Sequence, residues 1–190
     1  MANKRYGMLY DSNACIGCQS CSVACRAEHQ IPEDSFRLQV RIEGPKGEFP
    51  HLRMDFHRQS CVMCDQAPCV PVCPTKASYT NAEGVNMVDA DKCVGCGYCV
   101  ASCPYEARFI HPKTGAADKC NFCYETRLAN GEQPACVSVC PTSALLFGDL
   151  NDPDSEISKA LRKQHTITYK ENLGTRPKLK VIPNIHGGEA

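Results

Sequence analysis

The 190-residue chain carries no surplus of charge of either sign. Lys and Arg number 21, Asp and Glu number 21, and the formal net charge is zero. A protein that binds nucleic acid through phosphates needs a cationic excess to displace counterions, so this balance argues against that class. Long apolar runs are also missing. The longest are short, as in Ala144-Leu145-Leu146-Phe147. Nothing approaches the roughly 20 apolar residues of a membrane-spanning helix, and no transmembrane segment is expected. The stretch Met1-Ala2-Asn3-Lys4-Arg5-Tyr6 lacks the apolar h-region of a secretory signal, so none is expected. There is no Ser/His/Asp order of the hydrolytic kind and no glycine-rich phosphate loop. The six histidines, His29, His51, His57, His111, His165 and His186, are scattered and read as surface or hydrogen-bonding residues rather than ligands. No independent catalysis is expected.

What the chain has is cysteine. Sixteen residues is about 8% of the sequence, which points to a disulfide or metal framework. They fall into four groups of four: Cys15, Cys18, Cys21, Cys25; Cys61, Cys64, Cys69, Cys73; Cys93, Cys96, Cys99, Cys103; and Cys120, Cys123, Cys136, Cys140. The third group reads C-x2-C-x2-C-x3-C-P, the run with which bacterial ferredoxins hold iron–sulfur cubes. Three cysteines on one curling loop reach three corners of a cube, and the fourth turns to a neighbouring cluster. Gly95 and Gly97 let the backbone curl closely. The second group has four residues in its second gap and the fourth group has twelve, yet the final x3 spacing holds throughout. Groups two, three and four end in Cys-Pro, at Pro74, Pro104 and Pro141, whereas Arg26 follows Cys25. The expectation is that each fourth cysteine begins a helix, with proline at its first turn. The rivals are weaker. A disulfide scaffold suits small secreted chains, and zinc thiolates usually come as separated pairs rather than triples ending in C-x3-C-P.

An internal repeat accompanies the ligands. Cys69-Val70-Pro71-Val72-Cys73-Pro74-Thr75 matches Cys136-Val137-Ser138-Val139-Cys140-Pro141-Thr142, which suggests a duplicated two-cluster ferredoxin. The fold expected is α+β, a duplicated bacterial-ferredoxin-like architecture with short hairpins, short helices and an inserted β-hairpin. Ser78-Tyr79-Thr80 and Val85-Asn86-Met87-Val88 flank Asn81-Ala82-Glu83-Gly84 as a hairpin between groups two and three. Residues 58–104 then form one module, and residues 1–25 with 105–150 the other. Residues 26–57 hold no cysteine. Phe36, Leu38, Val40 and Ile42 alternate with polar residues, as do Leu52, Met54 and Phe56, around Gly44-Pro45-Lys46-Gly47. This predicts two half-buried strands, serving as a cover over the clusters or as a docking surface. Leu145-Leu146-Phe147 predicts a strand. Asp152-Pro153 predicts a helix start with Ile157, Ala160 and Leu161 on its apolar face. Residues 151–190 close the chain as a helix and a breaker-rich tail, expected to contact a partner or to be disordered over its last ten residues.

Two pairings of the groups remain open on spacing alone. Group two with three leaves one with four; the alternative is one with two and three with four. The hairpin after Pro74 favours the first. Lys92, Lys119 and Arg26 each adjoin a ligand cysteine. Each reads as solvated surface charge or as a cation that tunes a cluster.

The four-group order with a long gap in the last group resembles the iron–sulfur electron-transfer subunits of complex molybdopterin oxidoreductases, and among them those of polysulfide and thiosulfate reductases. The resemblance is carried by Cys15-Ile16-Gly17-Cys18-Gln19, Arg58-Gln59-Ser60-Cys61, Val72-Cys73-Pro74-Thr75-Lys76-Ala77-Ser78-Tyr79, Asp118-Lys119-Cys120-Asn121-Phe122-Cys123, Pro134-Ala135-Cys136-Val137-Ser138-Val139-Cys140-Pro141-Thr142 and Gly174-Thr175-Arg176-Pro177-Lys178-Leu179. It implies four [4Fe–4S] clusters. Cys15, Cys18, Cys21 and Cys140 would hold the first, and Cys25, Cys120, Cys123 and Cys136 the second. Cys61, Cys64, Cys69 and Cys103 would hold the third, and Cys73, Cys93, Cys96 and Cys99 the fourth. It implies a molybdopterin catalytic subunit and a multi-helix quinol-oxidising membrane anchor as partners. It also implies a place on the periplasmic side of the cytoplasmic membrane, reached by export with the catalytic partner. The alternatives are a soluble polyferredoxin, a zinc-bound adaptor, or the same kind of subunit serving a dimethyl sulfoxide, tetrathionate or arsenate enzyme.

Overall fold

The structure, a computed structural model, describes residues 4–184. Strand β1 (Tyr6–Asp11) carries Met8, Leu9 and Tyr10, all fully buried. Such a continuous apolar run fits a strand covered on both faces. Helix α1 (Ser20–His29) starts from Gln19 and stops at Gln30, both in the left-handed region. Strands β2 (Leu38–Lys46) and β3 (Arg53–Ser60) pair antiparallel, Leu38 against Ser60 and Ile42 against Phe56. Their bounds differ slightly from the alternation that predicted them; burial is concentrated at the root of the hairpin, with Asp55 the one buried residue toward its far end. At the far end Ile42, Leu52 and Met54 are exposed, and Phe49 is 88% exposed. Alternation there marks an apolar face turned to solvent.

Strands β4 (Ser78–Thr80) and β5 (Asn86–Val88) form the anticipated hairpin. Asn81 shapes its turn, its Oδ1 accepting the N–H groups of Glu83 and Val85 at 3.0 and 2.8 Å. A single turn, α2 (Tyr98–Ala101), precedes a second small hairpin of β6 (Phe109–Ile110) and β7 (Ala117–Asp118), which sequence patterning did not anticipate. Another single turn, α3 (Ala135–Ser138), leads to β8 (Leu145–Asp149) at the predicted place. Then come α4 (Glu156–Lys163) and β9 (Leu179–Ile182).

The main sheet has the order β8-β1-β9, with β8 antiparallel and β9 parallel to β1. Thus the strand before the first cysteine group pairs with the strand after the last, and α1 packs against α3. Phe122 and Phe147 meet edge-on, with ring centroids 5.1 Å apart, in the core beneath this sheet.

Two expectations for the C-terminal region are corrected. Helix α4 is capped by Ser155, whose Oγ accepts the Ser158 N–H at 3.2 Å, and not by Asp152. The Asp152 carboxylate instead accepts the Asp154 N–H at 2.9 Å, which holds the residues around Pro153 in a turn. The tail is not weakly packed. Leu179 and Val181 are buried in the core. The N–H groups of Lys178 and Leu179 donate to the Val62 carbonyl at 3.0 and 3.1 Å, and those of Asp65 and Gln66 donate to Arg176 and Thr175. The tail is a strap from the second cysteine group to the main sheet. Breaker residues misled because Gly174, Pro177 and Pro183 flank β9 without entering it, and Val181 and Ile182 within it are good strand formers. The remainder of the last ten residues, 185–190, lies outside the described residues.

Candidate metal centres

All four cysteine groups share one backbone device. The residue just before the second cysteine lies in the left-handed region: Gly17, Met63, Gly95 and Phe122, with φ between 51° and 68°. That reversal turns the chain between the first two thiols of each group. At Gly95 space is decisive as well as φ, because a Cβ would sit 2.5 Å from the Gly115 carbonyl oxygen. Met63 and Phe122 adopt the same φ against their preference, each with its side chain fully buried.

Helices do not begin at the fourth cysteines. The third cysteine of three groups enters a helical turn, Cys21 in α1, Cys99 in α2 and Cys136 in α3. The second group has turns but no helix there. Cys103 and Cys140 follow their turns, because proline at the next position disfavours helical backbone in the residue before it. Pro74, Pro104 and Pro141 are therefore stops. Group one has Arg26 in that place, and α1 runs through Cys25 to His29. Two residues after each proline the chain reverses again, at Lys76, Glu106 and Ser143 with φ of 57°, 51° and 52°.

The thiols gather across groups. All sixteen cysteines are free of disulfides. Cys15, Cys18, Cys21 and Cys140 line one small cavity with Tyr10, Val40 and Arg58. Cys25 is pushed far up by burial and next by the thiols of Cys120, Cys136 and Cys123, which face it. Cys64 is pushed up to about 12 by burial, with Cys61, Cys69 and Cys103 around it. At the remaining four, backbone amides meet sulfur: Ser78 N–H to Cys73 at 3.4 Å and Ala117 N–H to Cys93 at 3.3 Å. Cys93 packs with Cys99 and with Cys69 of the preceding set. His29 Nε2 lies 3.2 Å from Cys123 Sγ, and burial lowers its pKa to about 4, so the ring is neutral. Of the other histidines, His186 lies outside the described residues, and His51, His57, His111 and His165 do not line the cavity of Cys15, Cys18, Cys21 and Cys140.

This donor set fits cubes. Among the described residues no three His, Cys, Asp or Glu side chains converge closely enough to share a single ion. A cube binds each thiolate to a different iron, so it needs four soft donors spread around a hollow, as in the cavity of Cys15, Cys18, Cys21 and Cys140.

Charge was the feature sequence reading resolved least. Of the three flagged cations, Lys92 pairs with Asp89 at the surface at 2.7 Å. Arg26 binds the carbonyls of Ile31, Pro32, Glu33 and Ser35 beyond its helix. Only Lys119 is buried, 2% exposed, donating to the carbonyls of Asn86 and Cys120. Three further buried cations were missed, Lys178 at 1%, Arg58 at 3% and Arg108 at 6% exposure. Arg58 has a findable signal: it continues the apolar parity of residues 52, 54 and 56 along β3.

Two family models, each described as a 4Fe-4S dicluster domain, match residues 52–150 and 14–77, and together they contain every cysteine. The chain belongs to the 4Fe-4S dicluster family. The B subunit of polysulfide reductase from Wolinella succinogenes is 58% identical, over 97% of each of the two proteins. Protein NrfC of Escherichia coli is 53% identical, covering 96% of this chain and 82% of that one. The thiosulfate reductase electron transfer subunit PhsB of Salmonella typhi is 49% identical, covering 88% of this chain and 86% of that one. The chain is thus an iron–sulfur subunit of the kind found in these reductases, a carrier rather than a catalyst in its own right.

Proposed function

We propose that this chain carries four [4Fe–4S] clusters and conducts electrons from a quinol-oxidising membrane subunit to a molybdenum subunit that reduces polysulfide or thiosulfate. When bound, each cluster supplies one-electron carriage. The protein's own part is to fix the order of the four cages and to set their surroundings. Cage 1 is Cys15, Cys18, Cys21 and Cys140; cage 2 is Cys25, Cys120, Cys123 and Cys136. Cage 3 is Cys61, Cys64, Cys69 and Cys103; cage 4 is Cys73, Cys93, Cys96 and Cys99.

The observation that carries the reading is where the cages open. Cys18 and Cys96 are the two exposed cysteines, and they belong to cages 1 and 4. Cage 2 has all four thiols buried, and cage 3 has two. Exposed apolar residues rim each open end, Ile16 and Val23 beside cage 1 and Val94 and Tyr98 beside cage 4. Such a row has two terminals and a shielded middle. Groups one and four form the module at the molybdenum subunit, and groups two and three the module at the membrane. The root of the β2–β3 hairpin covers cage 1, where Gln19 Nε2 donates to the Val40 carbonyl, and its exposed apolar tip serves docking. Among the described residues no helix is long and apolar enough to cross a membrane, in keeping with a peripheral subunit.

Anaerobically purified protein should contain about sixteen iron and sixteen acid-labile sulfide per chain, the content of four cubes. It should copurify with a large molybdenum subunit. Full reconstitution that stops near twelve iron, or zinc in place of iron, would remove the four-cube reading. Copurification without molybdenum would favour a free polyferredoxin.

A further inference from the structure

Three cations lie buried among the thiols with no compensating carboxylate among the described residues. Arg58 Nη1 donates to the Ser60 hydroxyl, while its Nε and Nη2 are buried without an acceptor. Arg108 Nη2 donates to Ser78 Oγ at 3.0 Å, and its Nη1 is likewise orphaned. Lys119 Nζ has two backbone carbonyls. Lys178, equally buried, shows the ordinary solution by contrast, pairing with Asp65 at 3.2 Å. Removing a charge from water costs several kcal/mol unless an opposite charge is close. The missing counter-charge of the first three therefore has to come from the metal centres, since thiolate-bound cubes are anionic.

Their positions are ordered. Arg58 lines the cavity of cage 1 and also faces Cys136 of cage 2. Lys119 stands next to Cys120 of cage 2 and faces Cys61 and Cys69 of cage 3. Arg108 faces Cys69 and Cys61 of cage 3 and Cys99 of cage 4, and its hydroxyl partner Ser78 donates its own N–H to Cys73. We infer that each junction along the row holds one buried cationic side chain, Arg58 between cages 1 and 2, Lys119 between 2 and 3, and Arg108 between 3 and 4, and that each raises the reduction potential of both cages it touches. This inference rests on the four-cube reading. A fixed positive charge stabilises the reduced, more negative state of a neighbouring cube. The low-dielectric interior makes that effect larger than a surface lysine could supply. Sharing each cation between neighbours also keeps adjacent potentials close, so no step along the row is steeply uphill. These are tuning residues, not ligands.

EPR-monitored redox titration of the purified complex tests it, with iron and sulfide measured on every sample. Arg58→Gln, which keeps hydrogen-bonding capacity and removes charge, should lower the potentials of the two centres of cages 1 and 2 and leave the other two in place. Arg58→Lys should hold all four near the wild-type values. Arg108→Gln should do the reverse, lowering only the centres of cages 3 and 4. Full iron with four unchanged potentials in Arg58→Gln and Arg108→Gln overturns the inference. So does a uniform fall of all four. If Arg58→Gln loses iron, Arg108→Gln puts the same question to the other end of the row. If Arg58→Lys loses iron as well, shape rather than charge is what that site requires, and the inference is again overturned. A wild-type complex with fewer than sixteen iron would instead strike the four-cube reading itself, so the two failures are distinguishable.

Discussion

Seven of the sixteen cysteines are buried. Burial in the protein interior disfavours a thiolate, and it pushes Cys64 and Cys123 up to about 12. Iron has to displace those protons, so loading the cages couples metal to proton release and to folding. Cys25 is the residue on which the arrangement of the whole row turns. It sits one helical turn beyond Cys21 on α1, yet it faces Cys120, Cys123 and Cys136 and not its own group's loop. Cys25→Ser should therefore convert or lose one cluster, with an altered EPR spectrum that matches Cys123→Ser and differs from Cys18→Ser. A match to Cys64→Ser would instead pair group one with group two and overturn the proposed order of cages while leaving the count untouched.

At the scale of elements, the C-terminal tail ties the second cysteine group to the main sheet. Strand β9 pairs in parallel with β1, and the residues just before it are hydrogen-bonded to the second cysteine group. Leu179→Ala opens a cavity in that joint and should cost about 2–5 kcal/mol. Ser155→Ala, which removes only the cap of α4, should cost about 1 kcal/mol. Anaerobic denaturation followed by cluster absorbance reads both, and equal effects would mean that the tail is not the strap described here. The contrast also marks how much of the fold is legible in the sequence. The cysteine spacings locate every cage loop, because ligand geometry fixes them locally. The β4–β5 hairpin and β8 follow from turn residues and short apolar runs. The strap does not, because a parallel pairing between residues 8–11 and 179–182 leaves no local pattern. Helix starts at the fourth cysteines were misplaced because Cys-Pro reads as an entry signal, while here the proline ends a turn that the x3 spacing has already used. Arg58 and Arg108 escaped notice because a charged residue is ordinarily assigned to the surface, and in our inference the counter-charge that permits their burial comes from centres assembled from separate segments.

For the molecule as a whole, burial and connectivity constrain how it reaches its place of work. Cage 2 draws on the segment around Cys25 and on the stretch from Cys120 to Cys136, and the strap then ties group two to β1. No cage proposed here is complete within one cysteine group, so the chain has to be folded and loaded as a unit. Assembly of iron and sulfide takes place where both are supplied, which is inside the cell. If the complex works on the outer face of the membrane, as the family resemblance implies, this subunit has to cross already folded and bound to its catalytic partner. The address can then reside on that partner alone. Deleting the signal of the catalytic subunit should leave this chain in the cytoplasm with its iron complement intact, as measured by fractionation and metal analysis. Export that continues unchanged would show that the subunit travels by a route of its own. Retention of an iron-free chain would show that loading follows translocation, which is incompatible with cages built from distant segments before crossing.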